Sequence, residues 1–588
     1  MHAANATHGP LAVALLPLAL VAIGELQLKI DPHCVAGTPR GCFADMILAN
    51  ATIYTADAAL PFAAAMAVRT GRVLRVGDYE SVKELKGPRT YELNLSGNVV
   101  LPGFIDSHVH FVDGGLQVLP LRLGICHFRI ACWYYSLNML QLTRVPLRGV
   151  RSKDEFISKV KEATRGAVIC SFCCLQGSKL CFSAVRAFYT LHNTNISETC
   201  TFSEQISIQD SGYSEEVGIM MLGVVISLLL LGWMIYHQII QCVFKLVWLS
   251  RMDGHMGIAN SLAMKIAGID SSTNDPIGGT IIRTAEGGPT GLLVDTAMKL
   301  MLDVTEKVST HERREALLRA SRHALMRGVT TVVDVGSYFS GVTAEKAWQD
   351  FSDVYEWAHS MQNMMIRVCL FFPMPTWSRV SDLIRENGRS LSQWIHLGGV
   401  KAFLDGSLGS SSALFHEPYE GDPGNYGLQA TDIDSLLNRT LESDKSGLQV
   451  AIHAIGDKAN DMLLDMFDKV VDLNGVKDRR FRVCTYTVTV LQVSDINPLQ
   501  AIKTAMSRKP PGWEVPWIPA ERLTLDGSLK AHTISAAYAC FLDHAVGSLS
   551  PGKHADFVVL PSTSWDDFSG DLPAHVLATY VSGKLAYP

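Results

Sequence analysis

The sequence predicts an α/β protein in which parallel strands alternate with helices, beside a small β domain built from both chain ends. Three observations predict it. The helical stretch HERREALLRASRHALMRG runs into the apolar TTVVDVG, and the apolar LQVAIHAIGD runs into the helical KANDMLLDMFDKVV. Such alternation implies a parallel sheet with crossover helices. Near the N-terminus, ADMILANATIYTAD alternates apolar and polar residues, and AVRTGRVLRVGD places two strand-like runs around a Thr-Gly-Arg turn. At the far end GKHADFVVL and ATYVSGKLAY have the same texture, so residues 45–100 and 545–588 can pair into one small β-sandwich domain. Closing the central sheet into a barrel would put functional side chains at the C-terminal ends of its strands.

The bulk numbers agree with a globular enzyme. A chain of 588 residues with 48% hydrophobic and 18% charged residues can bury a large core. Its net charge of −6 comes without a large basic block, which argues against nucleic acid as a partner. Nine of the 13 cysteines (126, 132, 170, 173, 174, 181, 200, 242 and 484) fall in three stretches foreign in texture to the rest. The other four are scattered and read as buried thiols.

Two apolar segments raise the membrane question. Leu11–Ile23 is uncharged but short, and reads either as a signal peptide or anchor or as a disordered tail. Val217–Tyr236 is an uncharged run of 20 residues, long enough to span a bilayer. Membrane association through 11–23 or 217–236 is therefore one expectation, and a soluble intracellular protein the other.

The sharpest chemical signal is VVLPGFIDSHVHF, residues 99–111. His108 and His110 stand two residues apart at the end of an apolar strand, so their imidazoles share a face. Two neutral imidazoles on one side of a barrel mouth suit Zn²⁺ or a similar divalent cation. This segment resembles the first metal-ligand motif of the amidohydrolase superfamily, and the chain resembles its YtcJ-like branch, amidohydrolase family 3. The same branch is matched by WLSRMDGHMGIANSLAMKIAGI, GGPTGLLVDTA, GVTTVVDVG, VKAFLDGSLGSSSALFHEPY, VAIHAIGDKA and GSLSPGKHADFVVL. The resemblance covers roughly 45–117, 142–166, 247–482 and 493–588.

It implies a (β/α)8 TIM-like barrel over 101–544, a leading segment 1–44, and metal-assisted hydrolysis of amide- or formamide-like, non-peptide carbon–nitrogen bonds. His453 in VAIHAIGD resembles a further metal histidine. Lys401 in GGVKAFLDGS stands where a carbamylated lysine can bridge two ions; the bland alternative is an ion pair with Asp405. Arg251 and His255 in RMDGH resemble substrate-contacting groups able to polarise a carbonyl. One or two divalent ions, with zinc first, are the implied cofactor, and a small amide the implied partner.

Departures from the pattern matter as much. The family carries a histidine in an EHxQ-like motif and a proton-shuttling aspartate in a GSDWPV-like motif. Here Arg482 runs into VCTYTVTVLQ, Val490 stands where the aspartate belongs, and Asp495 matches a position downstream of it. The junction at 483–492 reads as a deletion that leaves the barrel incomplete. Insertions at 118–140 and 167–246 read as translated intron-like sequence. The expectation is a hydrolase scaffold impaired in this chain. Its rival is a non-catalytic barrel with a binding or signalling role, membrane-anchored if 217–236 spans.

Overall fold

The computed structural model describes residues 43–117, 247–250, 254–302, 304, 308–336, 343–484, 496–509 and 513–588. Its centre is a six-stranded parallel sheet whose spatial order follows the chain. The strands are β1 (Phe104–Val109), β2 (Val329–Asp334), β3 (Arg367–Pro373), β4 (Ile395–Phe403), β5 (Gln449–His453) and β6 (Arg482–Cys484). Helices Thr310–Met326, Trp377–Asn387, Ile433–Lys445 and Asp457–Asn474 cross between successive strands. Buried on both faces, the strands read as near-continuous apolar runs such as VTTVVD and QVAIH. Val332, Leu370, Val400 and Ile452 face the helices, whereas Ile105, Cys369, Phe371, Ala451 and Cys484 form a separate inner cluster.

This is an incomplete (β/α)8 barrel, with six barrel strands among the described residues. The opening between β6 and β1 is bridged by the segment after His532. The His532 carbonyl accepts from the Ile105 amide at 2.8 Å, and Ala536, Ala537, Cys540 and Leu542 pack into the inner cluster. Arg482 of β6 donates to the Ser107 carbonyl of β1, so the two edges are tied through one guanidinium.

Two further sheets use strands from both chain ends. One orders Arg72–Gly77, Ala65–Arg69, Met46–Ala49 and Tyr91–Asn94. The other orders Lys584–Tyr587, Ala578–Val581, Phe557–Val559, Val99–Pro102, Thr52–Tyr54 and Phe62–Ala63. Leu48, Met66 and Val68 of the first meet Ile53, Val100 and Phe557 of the second in one apolar core.

Trp248–Ser250 does not join the barrel wall: it is the edge of a separate antiparallel sheet with Met256–Ala259, Pro289–Asp295 and Gly279–Arg283. Gly254 holds φ +76° just ahead of Met256–Ala259, in which Ile258 pairs with Leu249. Local antiparallel pairing then satisfies the backbone without a crossover. Arg251, Val490, Asp495, both insertions and the apolar segments 11–23 and 217–236 lie outside the described residues. Among the described residues no helix is long and apolar enough to cross a membrane.

The barrel is fastened to the end-strand sheet by a buried ion pair. Arg367 of β3 reaches Asp556 with Nε–Oδ2 2.9 Å and Nη2–Oδ1 3.0 Å. Burial pushes the Asp556 carboxyl up, but the Arg367 charge and bonds, with the Ser582 amide, outweigh it and hold it below the usual range. Asp556→Ala strands a buried guanidinium and is expected to cost about 3–5 kcal/mol in urea unfolding at pH 7. Because the folded pKa is the lower one, the wild-type advantage is full above the unfolded value, about 4, and shrinks as pH falls below it.

Candidate active site

The C-terminal ends of β1, β4 and β5 gather the sequence-predicted residues. His108 and His110 leave β1 with ring centroids 5.5 Å apart at 81°. Lys401 and Phe403 lie two residues apart on β4, and Lys401 Nζ sits 4.5 Å from the Phe403 ring centre. Phe403 pairs in register with His453, and His453 with Cys484, so these three side chains share a face. His255 arrives from the antiparallel sheet, its ring centre 5.1 Å from that of His453.

Three of these rings, His110, His255 and His453, are oriented by an acceptor. His110 Nδ1 donates to the Gly336 carbonyl just beyond β2. His453 Nε2 donates to the Gly406 carbonyl at 2.8 Å, and His255 Nδ1 to Asp295 Oδ1 at 2.6 Å. A ring nitrogen facing a carbonyl or carboxylate must carry the proton, which leaves the opposite nitrogen with the lone pair. Metal-ligating histidines are commonly held in this way.

Burial sets the charge states. It pushes His108 and His453 well below the ordinary histidine value, and the Lys401 charge adds to this at both. His110 is pushed down to about 3 by burial, against the opposing Gly336 bond. The imidazoles of His108, His110 and His453 are therefore neutral at working pH. Burial also lowers the Lys401 ammonium, opposed by the Cys484 thiol. Lys401 is 4% exposed, and no carboxylate or carbonyl oxygen takes a hydrogen bond from its Nζ.

The alternative of a Lys401–Asp405 ion pair is not what forms. Asp405 instead accepts the amides of Leu414, Ile455 and Gly456 at 2.8–2.9 Å, fixing the loop after β4 to the turn after β5. Burial raises its carboxyl to about 6 against those bonds. Gly456 has no room for a side chain there, since a Cβ would lie 1.8 Å from the Leu414 oxygen.

The donor set fits a divalent cation in its chemistry: neutral buried imidazoles with fixed tautomers beside a destabilised amine. Its packing is looser, because no three His, Cys, Asp or Glu side chains among the described residues close into a cage. Two participants escaped the sequence reading. Asp295 ends GGPTGLLVDTA on an apolar strand, a position that could have marked it. Cys484 lies in the foreign stretch, and only pairing to His453 brings it here.

The sequence profile of the amidohydrolase family matches residues 245–503 and 487–587. The chain belongs to the amidohydrolase family. Within it, this chain is 44% identical to "Protein LONG AFTER FAR-RED 3" of Arabidopsis thaliana, over 94% of this chain and 93% of that protein. It is 28% identical to "Putative amidohydrolase YtcJ" of Bacillus subtilis (strain 168), over 71% and 64%. It is 23% identical to "N-substituted formamide deformylase" of Arthrobacter pascens, over 92% and 98%. The fold is shared with an uncharacterised metal-dependent hydrolase from Pyrococcus horikoshii (TM-score 0.54, 20% identity, 88% of this chain and 97% of that one). The two profile matches of this amidohydrolase overlap at 487–503, beside the junction where the sequence reading placed a deletion.

His110 gives a pH test. The unfolded chain binds a proton there below about pH 6.5, the native one not until about 3, so native stability falls as pH drops through that window. His110→Gln removes this penalty. Relative to wild type, its urea midpoint is expected to rise between pH 7 and pH 4.

Proposed function

We propose that this chain is the scaffold of a metal-dependent hydrolase of non-peptide carbon–nitrogen bonds in amide- and formamide-like substrates, impaired in turnover. One observation carries it: the buried, neutral imidazoles of His108, His110 and His453 all feel the charge of one buried amine, Lys401, whose Nζ gives no hydrogen bond to an oxygen. We assign these four residues to the metal, with zinc as the cation. Bound there, the cation would supply Lewis acidity and an acidified water. Lys401, held toward its neutral form by burial, has the state that carbamylation requires. His255 and Arg251 are assigned to the substrate. The formamide deformylase among the relatives supports the substrate class.

The impairment rests on proton handling. Hydrolysis of a C–N bond needs a group that passes a proton to the leaving nitrogen. The position expected for that aspartate is Val490, a side chain with no proton to give. The second reading, a non-catalytic barrel with a regulatory role, is favoured by a 24% identical relative named "Exoenzymes regulatory protein AepA" of Pectobacterium carotovorum.

Metal analysis of the purified full chain separates the readings. About one zinc per chain is expected, lost in the His108→Ala/His110→Ala double variant. Two tightly held ions would overturn the impairment, and no metal after zinc loading would overturn the hydrolase reading in favour of the second. Formamide hydrolysis should lie at least about 100-fold below that of a version restoring the missing strands, the lower end of what a positioned proton-transfer group contributes.

A further inference from the structure

We infer that the cavity between the ends of β2 and β3 and the helix Phe111–Gln117 is a binding site for a small primary ammonium group, with Asp113 as its principal acceptor. The cavity offers about 30 Å³ of room. One water needs roughly 10–15 Å³, so the space suits a group of about two heavy atoms, the size of a methylammonium ion. Phe111, Asp113, Asp334, Asp350, Phe351 and Tyr355 stand on its wall, whereas His108, His110, Lys401 and His453 of the barrel mouth do not. The inference is therefore independent of the hydrolase reading.

The three carboxyls differ in what already engages them. Asp334 accepts the Gly336 amide at 3.0 Å and the Phe111 amide at 3.3 Å through Oδ1, and the Tyr355 hydroxyl through Oδ2. Asp350 accepts Arg313 through Oδ1. Asp113 is only 7% exposed, and its Oδ2 is buried without a hydrogen-bond partner. Such atoms are rare in folded proteins, and this one borders a space large enough for a donor. A carboxyl offers an acceptor oxygen in either protonation state, so the role of Asp113 rests on its position. Burial pushes the Asp334 and Asp350 carboxyls up to about 6, and Asp113 adds to the push at both; Arg313 and Lys346 oppose it at Asp350. Three carboxyls facing two cations leave a place for one more positive charge.

The chemistry favours N–H donors over a hard metal ion. Such an ion takes about six oxygens. Here backbone amides, Tyr355 and Arg313 already hold both oxygens of Asp334 and one of Asp350. An ammonium needs only a few acceptors, at the longer reach of a hydrogen bond. Phe111, Phe351 and Tyr355 add aromatic rings to the wall, and ring faces attract ammonium groups.

Calorimetric titration of the full chain with methylammonium chloride, at neutral pH and constant ionic strength, tests this. Saturable binding is expected, at least about tenfold tighter than for tetramethylammonium, which is larger and has no N–H to donate. Asp113→Ala should weaken it by at least about tenfold, and Asp113→Asn, which keeps the size of the side chain, serves where the alanine variant does not fold. Zinc loading should leave the affinity unchanged. Unsaturable heats, equal affinity for tetramethylammonium, or unchanged binding in the folded Asp113 variant overturns the proposal. Competition between zinc and methylammonium would place the cation at the barrel mouth and overturn it equally.

Discussion

Burying several imidazoles and an amine together at one barrel mouth is the constraint on which the rest of the site depends. Basic groups taken out of water favour their neutral forms, and each neighbour that keeps a charge pushes the others further the same way. His108, His110 and His453 all respond to Lys401 in that sense. Neutral rings still need partners for their one N–H, and the fold supplies backbone acceptors at strand ends: the Gly336 carbonyl for His110 and the Gly406 carbonyl for His453. The result is a pair of ring orientations fixed by the backbone itself.

Those acceptors are held by the loops in turn. Asp405 receives three backbone amides from segments far apart in sequence and so fixes the loop carrying Gly406 against the turn after β5. The Asp405 carboxylate serves these amides, and it forms no ion pair with Lys401. The antiparallel sheet adds the last component, because only a side element outside the barrel wall can lower His255 and Asp295 onto a site that the parallel strands approach from below.

The opening between β6 and β1 shows how the scaffold tolerates its deficit. Arg482 reaches across to the Ser107 carbonyl and donates to Cys540 Sγ at 3.2 Å, while small side chains at Ala536 and Ala537 fill the inner space. The β1 edge thereby finds partners for the Ser107 carbonyl and the Ile105 amide, as buried backbone requires. Among the described residues, the bridging segment contributes packing through Ala536, Ala537, Cys540 and Leu542.

The sequence by itself determined the alternating architecture, because apolar runs such as TTVVDVG and LQVAIH and the amphipathic helices beside them carry their own periodicities. It also determined that His108 and His110 share a strand end, since spacing two along a strand fixes a common face. It could not place His255, whose position depends on antiparallel pairing of Trp248–Ser250 with Met256–Ala259 and not on any local pattern. Nor could it single out Asp295, Gly406 or Cys484 at the mouth, or see that Asp405 serves backbone amides. These are contacts between segments tens to hundreds of residues apart, set by strand register and loop packing, and register is a property that only the assembled sheet possesses.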